Sequence, residues 1–406
     1  MFSIPATSPS AGSASSASVT TLSNGLTVVS ETASSTSTIS LTYPNAGSAS
    51  ESPSESGAAL VNKFLAFKSG SGLSSAVIVR NLENAGATSF VNVDKSSATV
   101  GYTASKDQAI RLVPLLATTC EFAKWDVRDA QAYAKRAAEE ASTDAMTVIS
   151  DSIFSAAFGA QSSLGKSLYA SAGSSSVGVQ SFRHKTYGLN GAVLAATGID
   201  DHESFVKAVE VGLSENYVGD APAAAAVSPF LGGETRVSAP SSSAVAHVAL
   251  AFAAPTGSSP LLNIVQKCIE LSGDGVSSYA SAKTGLVGLY GASTDGAAVT
   301  DQLCSIMTSA PSADLIARAK NLAKGDALLS IDGGNDSQSL AGAMTETVLE
   351  TGSFGYSDVA AAYDAVSVDQ VQALFTSMAG STPALAAVGD LSSVPYHGSI
   401  ATRFSS

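Results

Sequence analysis

The sequence predicts an α+β protein in which one unit occurs twice. Three observations carry this. A strand over 38–43 (TISLTY) leads through a short turn into an apolar helix that stops at SGSG. The segment 246–252 (AHVALAF) leads in the same way, through a Pro/Gly/Ser turn, into PLLNIVQKCIELSGDG at 260–275. Near the two ends, AVLAATGID at 192–200 has a counterpart in ALAAVGD at 384–390. Between the copies, GDAPAAAAVSP at 219–229 carries two prolines and reads as a linker. A chain of 406 residues is also too long for one typical domain. The expected organisation is therefore a flexible arm over 1–18, a first domain over 19–218, the linker, and a second domain over 230–406.

Taken in order, the Ser/Ala/Pro-rich start has no periodicity and reads as the arm. No Lys or Arg precedes Lys63, whereas an organelle transit peptide is Arg-rich; either it has been removed or import uses another signal. The run VTTLSNGLTVVSE alternates around Asn24-Gly25, a hairpin signal. After the 38–43 strand, the apolar residues Leu60, Val61, Phe64, Leu65 and Phe67 recur near a 3.6 period over 57–72, which predicts a buried helix. A second helix is expected over 73–85, then strands at 88–91 and 97–103. Helices follow over 106–120 and from 126 to about 158, then near 177–187. A strand at 192–196 and a helix over 202–213 close the first half.

Composition excludes several functions. Twenty-one Lys and Arg face 34 Asp and Glu, a net charge of −13, so the basic face required for non-specific nucleic-acid binding is missing. Charged residues make up only 14% of the chain. Such a surface suits a subunit covered by partners, or reflects a compositional bias of the source. Cys120, Cys268 and Cys304 lie far apart in apolar contexts and read as buried thiols in a reducing compartment. His184, His202, His247 and His397 include no pair four residues apart, so no helix-borne metal site is expected. No apolar run is long enough to span a bilayer. The loop from Gly273 follows a helix rather than a strand and reads as a C-cap. Gly333-Gly334-Asn335-Asp336 lacks calcium-loop spacing and reads as a turn. No G-x-S-x-G elbow is present, so no nucleophile is assigned.

The helix over 57–72 resembles the signature helix of the pitrilysin-like (M16) metallopeptidases. There a His-x-x-Glu-His run precedes an apolar residue, Phe and Lys, its two His binding zinc and its Glu acting as general base. In this chain Leu60 stands where the first His would be, Lys63 at the Glu, and Phe64 at the second His. Leu and Phe cannot ligate a metal, and a charged Lys repels Zn²⁺ and cannot accept a proton. Active members take a third ligand, a Glu, from a later helix; RAAEE at 136–140 resembles that helix and puts Glu140 at the position. Glu140 then reads as a solvated helix residue or a partner of Lys63. The resemblance covers nearly the whole chain. It implies two homologous M16-type domains related by a pseudo-twofold, each a mixed or antiparallel sheet covered by helices. It implies no catalytic residue, no metal and no cofactor.

Within the family, EFAKWDV at 121–127, GGETR at 232–236, AHVALAF and GLVGLY at 285–290 resemble the core-subunit branch. That branch implies a peripheral subunit on the matrix side of the mitochondrial inner membrane. Its implied partners are a second M16-type core subunit and the cytochrome b, cytochrome c1 and Rieske subunits of a dimeric respiratory complex. The competing branch is the non-catalytic subunit of the organelle's processing peptidase, whose long glycine-rich loop handles presequences. The corresponding stretch here, 272–283, holds only Gly273 and Gly275 and carries the bulky Tyr279.

Overall fold

A computed structural model describes residues 17–68, 73–117, 122, 124–170, 175–214, 216–219, 228–238, 244–332 and 336–404. The expected arm lies outside the described residues up to residue 16, and the expected linker lies outside them over 220–227.

Two mixed sheets organise the molecule. The first contains β1 (Ser18–Thr21), β2 (Thr27–Ser30), β3 (Ser37–Pro44), β4 (Thr88–Val93), β5 (Ser97–Ala104) and β6 (Val193–Ala196), in the order β1-β2-β6-β3-β5-β4. The second contains β7 (Glu234–Ser238), β8 (Ala246–Ala253), β9 (Ser277–Ser281), β10 (Leu286–Ser293) and β11 (Ala384–Gly389), in the order β7-β11-β8-β10-β9. Strand for strand the pairings repeat. β2 runs parallel to β6 as β7 does to β11, and the remaining neighbours in each sheet are antiparallel. The duplication read from the sequence is present, with β3 matching β8 and β6 matching β11. The first sheet has one strand more. β1 joins β2 through the Asn24-Gly25 turn, where Gly25 takes a left-handed φ of 83° and Leu22 N–H donates to Leu26 O at 2.8 Å.

Helices cover both faces of each sheet. In the first half these are α1 (Ala58–Leu65), α2 (Ser75–Asn84), α3 (Lys106–Ala109), α4 (Val113–Ala117), α5 (Lys124–Thr143), α6 (Ala145–Phe158), α7 (Ser176–Thr186) and α8 (His202–Gly212). In the second they are α9 (Ser259–Ser272), α10 (Gly296–Thr308), α11 (Ala313–Asp332), α12 (Ser337–Thr351), α13 (Tyr356–Ala365), α14 (Val368–Ala379) and α15 (His397–Ala401). Three expectations are corrected. The continuous helix over 126–158 is two helices, because Asp144 leaves helical geometry (φ −92°, ψ 112°) and its carboxylate accepts the N–H groups of Met146 and Thr147. The helix over 106–120 breaks into α3, a 3₁₀ turn and α4, and 118–120 lies outside the described residues. The helix over 57–72 ends early, at Leu65, where Ala66 becomes extended and Phe67 adopts φ 55°.

The break at Asp144 matters because α6 does not stay with its own sheet. It packs across β8 and β11 of the second sheet, where Ile149, Ile153, Phe154 and Phe158 meet Ala249, Ala251, Ala386 and Val388. In return α12 packs across β3 and β6 of the first sheet, where Leu340, Met344 and Val348 meet Val29, Val193 and Ala195. Each half thus covers one face of the other's sheet. Burial of apolar area on both exchanged helices, at roughly 25 cal/mol per Å², fastens the halves together. On that face β3 carries hydroxyls, and Thr38 Oγ1 lies 2.7 Å from Ser337 Oγ at the start of α12.

Candidate functional site

The candidate site is α1 and the surfaces that face it. α1 begins at Gly57, whose left-handed φ of 84° a side chain would strain. Its free N–H groups are taken by the buried Glu51, which accepts Gly57 N–H at 2.9 Å and Ala59 N–H at 2.8 Å. Burial pushes the Glu51 carboxyl up from its ordinary value, while these two amides and nearby Lys166 pull it back. Glu55 ends in the opposite state. Burial pushes it up, but Ser52, Ser181 and Lys185 outweigh that and hold its carboxyl low.

The four positions named from sequence then separate. Leu60 is buried in the first core at 2% exposure. Lys63 is half-buried, in the last turn of the helix. Phe64, also half-buried, stacks on Tyr133 of α5 with ring centroids 6.1 Å apart, and the Lys68 ammonium lies 5.4 Å from the same ring. Glu140 is exposed on α5. That helix carries a Lys135–Glu139 ion pair at 4.0 Å, and among the described residues none joins Glu140 to Lys63. The donor set does not fit zinc: where the resemblance would put two ligands and a base stand two hydrocarbons and a cation, with Phe64 in an aromatic pair. Among the described residues, no three His, Cys, Asp or Glu side chains converge as a metal site.

Sequence reasoning missed what lies beneath α1. Asn62 is buried, donates to Ala58 O at 2.9 Å and accepts from Arg183 of α7 at 3.4 Å. The Arg183 guanidinium is itself buried, with its carbon 5.2 Å from the Phe122 ring and 5.3 Å from that of Tyr187. No local motif marks such a pair, since its members are 121 residues apart.

A second feature is a cavity of about 810 Å³ where the two halves face each other. Lys95, in the β4–β5 turn, bridges Asp151 of α6 at 2.6 Å and Lys166 O at 2.7 Å, and stands 4.9 Å over the Phe154 ring. Burial lowers the Lys95 pKa, and Asp151 opposes that shift. Opposite, Lys283 of the β9–β10 turn pairs with Glu346 of α12 at 3.8 Å. Within the stretch 272–283, expected to be a loop, residues 277–281 form strand β9 on the cavity wall, held by its ladder to β10. Tyr279 meets Phe154 edge-to-face at 6.0 Å. Both lysines of this wall pair with a carboxylate, and a third carboxylate, Asp94, accepts from Ser96 and Ser97.

The remaining sequence features resolve as structure. Gly273 caps α9, and Asp336 caps α12 by accepting Gln338 N–H at 3.0 Å; residues 333–335 lie outside the described set. Cys268 and Cys304 are buried free thiols, and burial pushes Cys268 up to about 12, out of thiolate range; Cys120 lies outside the described residues. No described helix is long and apolar enough to cross a membrane.

Residues 27–171 match the family model described as Insulinase (Peptidase family M16). The mitochondrial-processing peptidase subunit alpha of Solanum tuberosum is 29% identical over 59% of this chain and 48% of its own length. A probable mitochondrial-processing peptidase subunit alpha-2, chloroplastic/mitochondrial, of Arabidopsis thaliana is 28% identical over 66% of this chain and 54% of its own. The chain thus spans about half the length of these curated relatives. Among solved structures, a chain of Complex III2 from Candida albicans, with Inz-5 bound, superposes with a TM-score of 0.81 at 20% identity. That match covers 95% of this chain and 99% of the other. The two-sheet, helix-exchanged fold is therefore that of a known complex III chain.

Proposed function

We propose that this chain is an inactive member of the M16 peptidase family serving as core protein 2 of mitochondrial ubiquinol–cytochrome c reductase, complex III. In this reading it cleaves nothing, holds no metal or cofactor, and supports assembly and stability of the respiratory complex from the matrix side of the inner membrane. It pairs with core protein 1, beside cytochrome b, cytochrome c1 and the Rieske protein, in a dimeric assembly. One observation carries the proposal: the fold matches a complex III chain nearly end to end, and Leu60, Lys63 and Phe64 fall where the resemblance would put ligands and base.

Mitochondria solubilised in mild detergent and run on a native gel test this directly. Co-migration with the haem absorbance of cytochromes b and c1, and with a second core subunit by mass spectrometry, is expected. The two plant relatives support a second reading, a non-catalytic alpha subunit of the processing peptidase that presents presequences to a zinc-bearing partner. A haem-free heterodimer that cleaves presequences is the outcome that favours it. The absence of glycine at 277–281, drawn into strand β9, weighs against that reading.

A further inference from the structure

The two sheets differ at one edge. In the first, β2 is not terminal, because β1 lies outside it. In the second, β7 is terminal, and among the described residues nothing pairs with its outer side. The hydrogen-bond phase is fixed in both. Thr27 N–H donates to Ala192 O, so Thr27 and Val29 face β6, while Val28 and Ser30 turn toward β1. Likewise Leu385 N–H donates to Gly233 O, so Thr235 and Val237 face β11, while the backbone groups of Glu234, Arg236 and Ser238 turn outward. An unpaired row of this kind is a template for another strand.

The flanks of that edge are prepared unequally. On the α6 side stand Phe230, edge-to-face with Phe158 at 6.1 Å, and Leu231, 63% exposed. On the α15 side Arg236 donates to Val394 O and Pro395 O, pairs with Glu234, and lies under the ring of Tyr396, which is 73% exposed. β1 has a matching alternation on its own sheet. Val19 packs toward the α12 cluster, and Thr20 Oγ1 meets His202 Nε2 at 2.8 Å beside α8. Under the duplication, α6 takes the place of α12 and α15 that of α8.

We propose that β7 is an acceptor edge for an extended segment of a partner subunit, laid antiparallel in the position β1 occupies on β2. That segment is a short β-branched strand with apolar side chains toward Phe230 and Leu231 and hydroxyl or polar side chains toward Arg236 and Tyr396. Two or three main-chain pairs make a weak contact in isolation, so the strand forms within an assembly whose other contacts hold the partner near. The inference goes beyond the complex III reading and does not depend on it. The composition of the assembly decides the one, and the state of β7 decides the other.

Hydrogen exchange resolved to single amides tests it, on the full chain alone and on the native assembly captured through a tag on this chain. The amides of Arg236 and Ser238 are expected to exchange fast in the isolated chain and at least about tenfold slower in the assembly, with Thr235 and Val237 slow in both. Fast exchange of Arg236 and Ser238 in the assembly overturns the proposal. So does slow exchange in the isolated chain, which would mean that the chain closes its own edge. Ser238→Pro removes an outward N–H and spares the β11 ladder. It should leave the melting temperature unchanged and return Arg236 toward the fast rate in the assembly; undiminished protection there contradicts the proposal.

Discussion

α1 and α9 are the same element in the two copies, and they are built from different materials. α9 runs fourteen residues and buries Leu262, Ile264, Val265, Cys268 and Ile269; its N-cap Ser258 makes no side-chain cap. α1 runs eight residues and is held by a buried carboxylate at its start and a buried Asn62–Arg183 contact beneath. Among the described residues the buried charged side chains, Glu31, Glu51, Glu55 and Arg183, all lie in the first half. Buried charges are costly unless they are bonded, and packing alone does not call for them. The first copy builds a buried polar frame around Leu60, Lys63 and Phe64. The second copy is simply packed.

The sharpest way to break this comparison is to remove the frame. Arg183→Ala should lower stability by about 3 kcal/mol, because it strands buried polar partners. On α9, Lys267→Ala should cost under about 1 kcal/mol, since its pairs with Glu270 and Asp326 are at the surface. Denaturant midpoints of the two variants measure this, and equal losses would erase the distinction. Next comes the cap: Glu51→Ala should cost about 2 kcal/mol and Ser258→Ala under about 0.5 kcal/mol. Leu60→His should cost about 2 kcal/mol, for an imidazole placed in apolar surroundings with no metal to satisfy it.

The smallest effect is in the pH dependence, and its two halves have opposite signs. Glu55 is held below its ordinary value, so its contribution is complete above that value and is lost as pH falls through the folded pKa. Glu51 is raised, so its contribution is complete at low pH and is lost as pH rises through the folded pKa. Unfolding free energies measured from pH 3 to 7 should lose part of the acid-side decline in Glu55→Gln, and part of the decline on the rising side in Glu51→Gln.

Much of the fold was legible because periodicity and turn chemistry are local. The Asn24-Gly25 hairpin, β3 with β8, and β6 with β11 all announce themselves in short runs. The exchange of α6 and α12 was not legible, since it turns on where a helix goes after Asp144 rather than on what it is made of. The end of α1 is hidden for a related reason: Phe67 continues the apolar period while its backbone has left the helix. At the site, Leu60, Lys63, Phe64 and Glu140 stand out only through the resemblance of 57–72 and 136–140 to the M16 helices. Glu51, Asn62 and Arg183 do not stand out, because long-range hydrogen bonds between single polar residues leave no period to read.

In the proposed function, the scaffold persists without metal chemistry. Zinc content of the purified full chain, measured together with hydrolysis of a presequence peptide with and without chelator, tests it most directly. The expected result is far less than one zinc per chain and no chelator-sensitive cleavage, unchanged when His, Glu and His replace Leu60, Lys63 and Phe64, because the surrounding shell of supporting residues is not built for a metal. One zinc per unaltered chain, with cleavage abolished by the chelator, would contradict it.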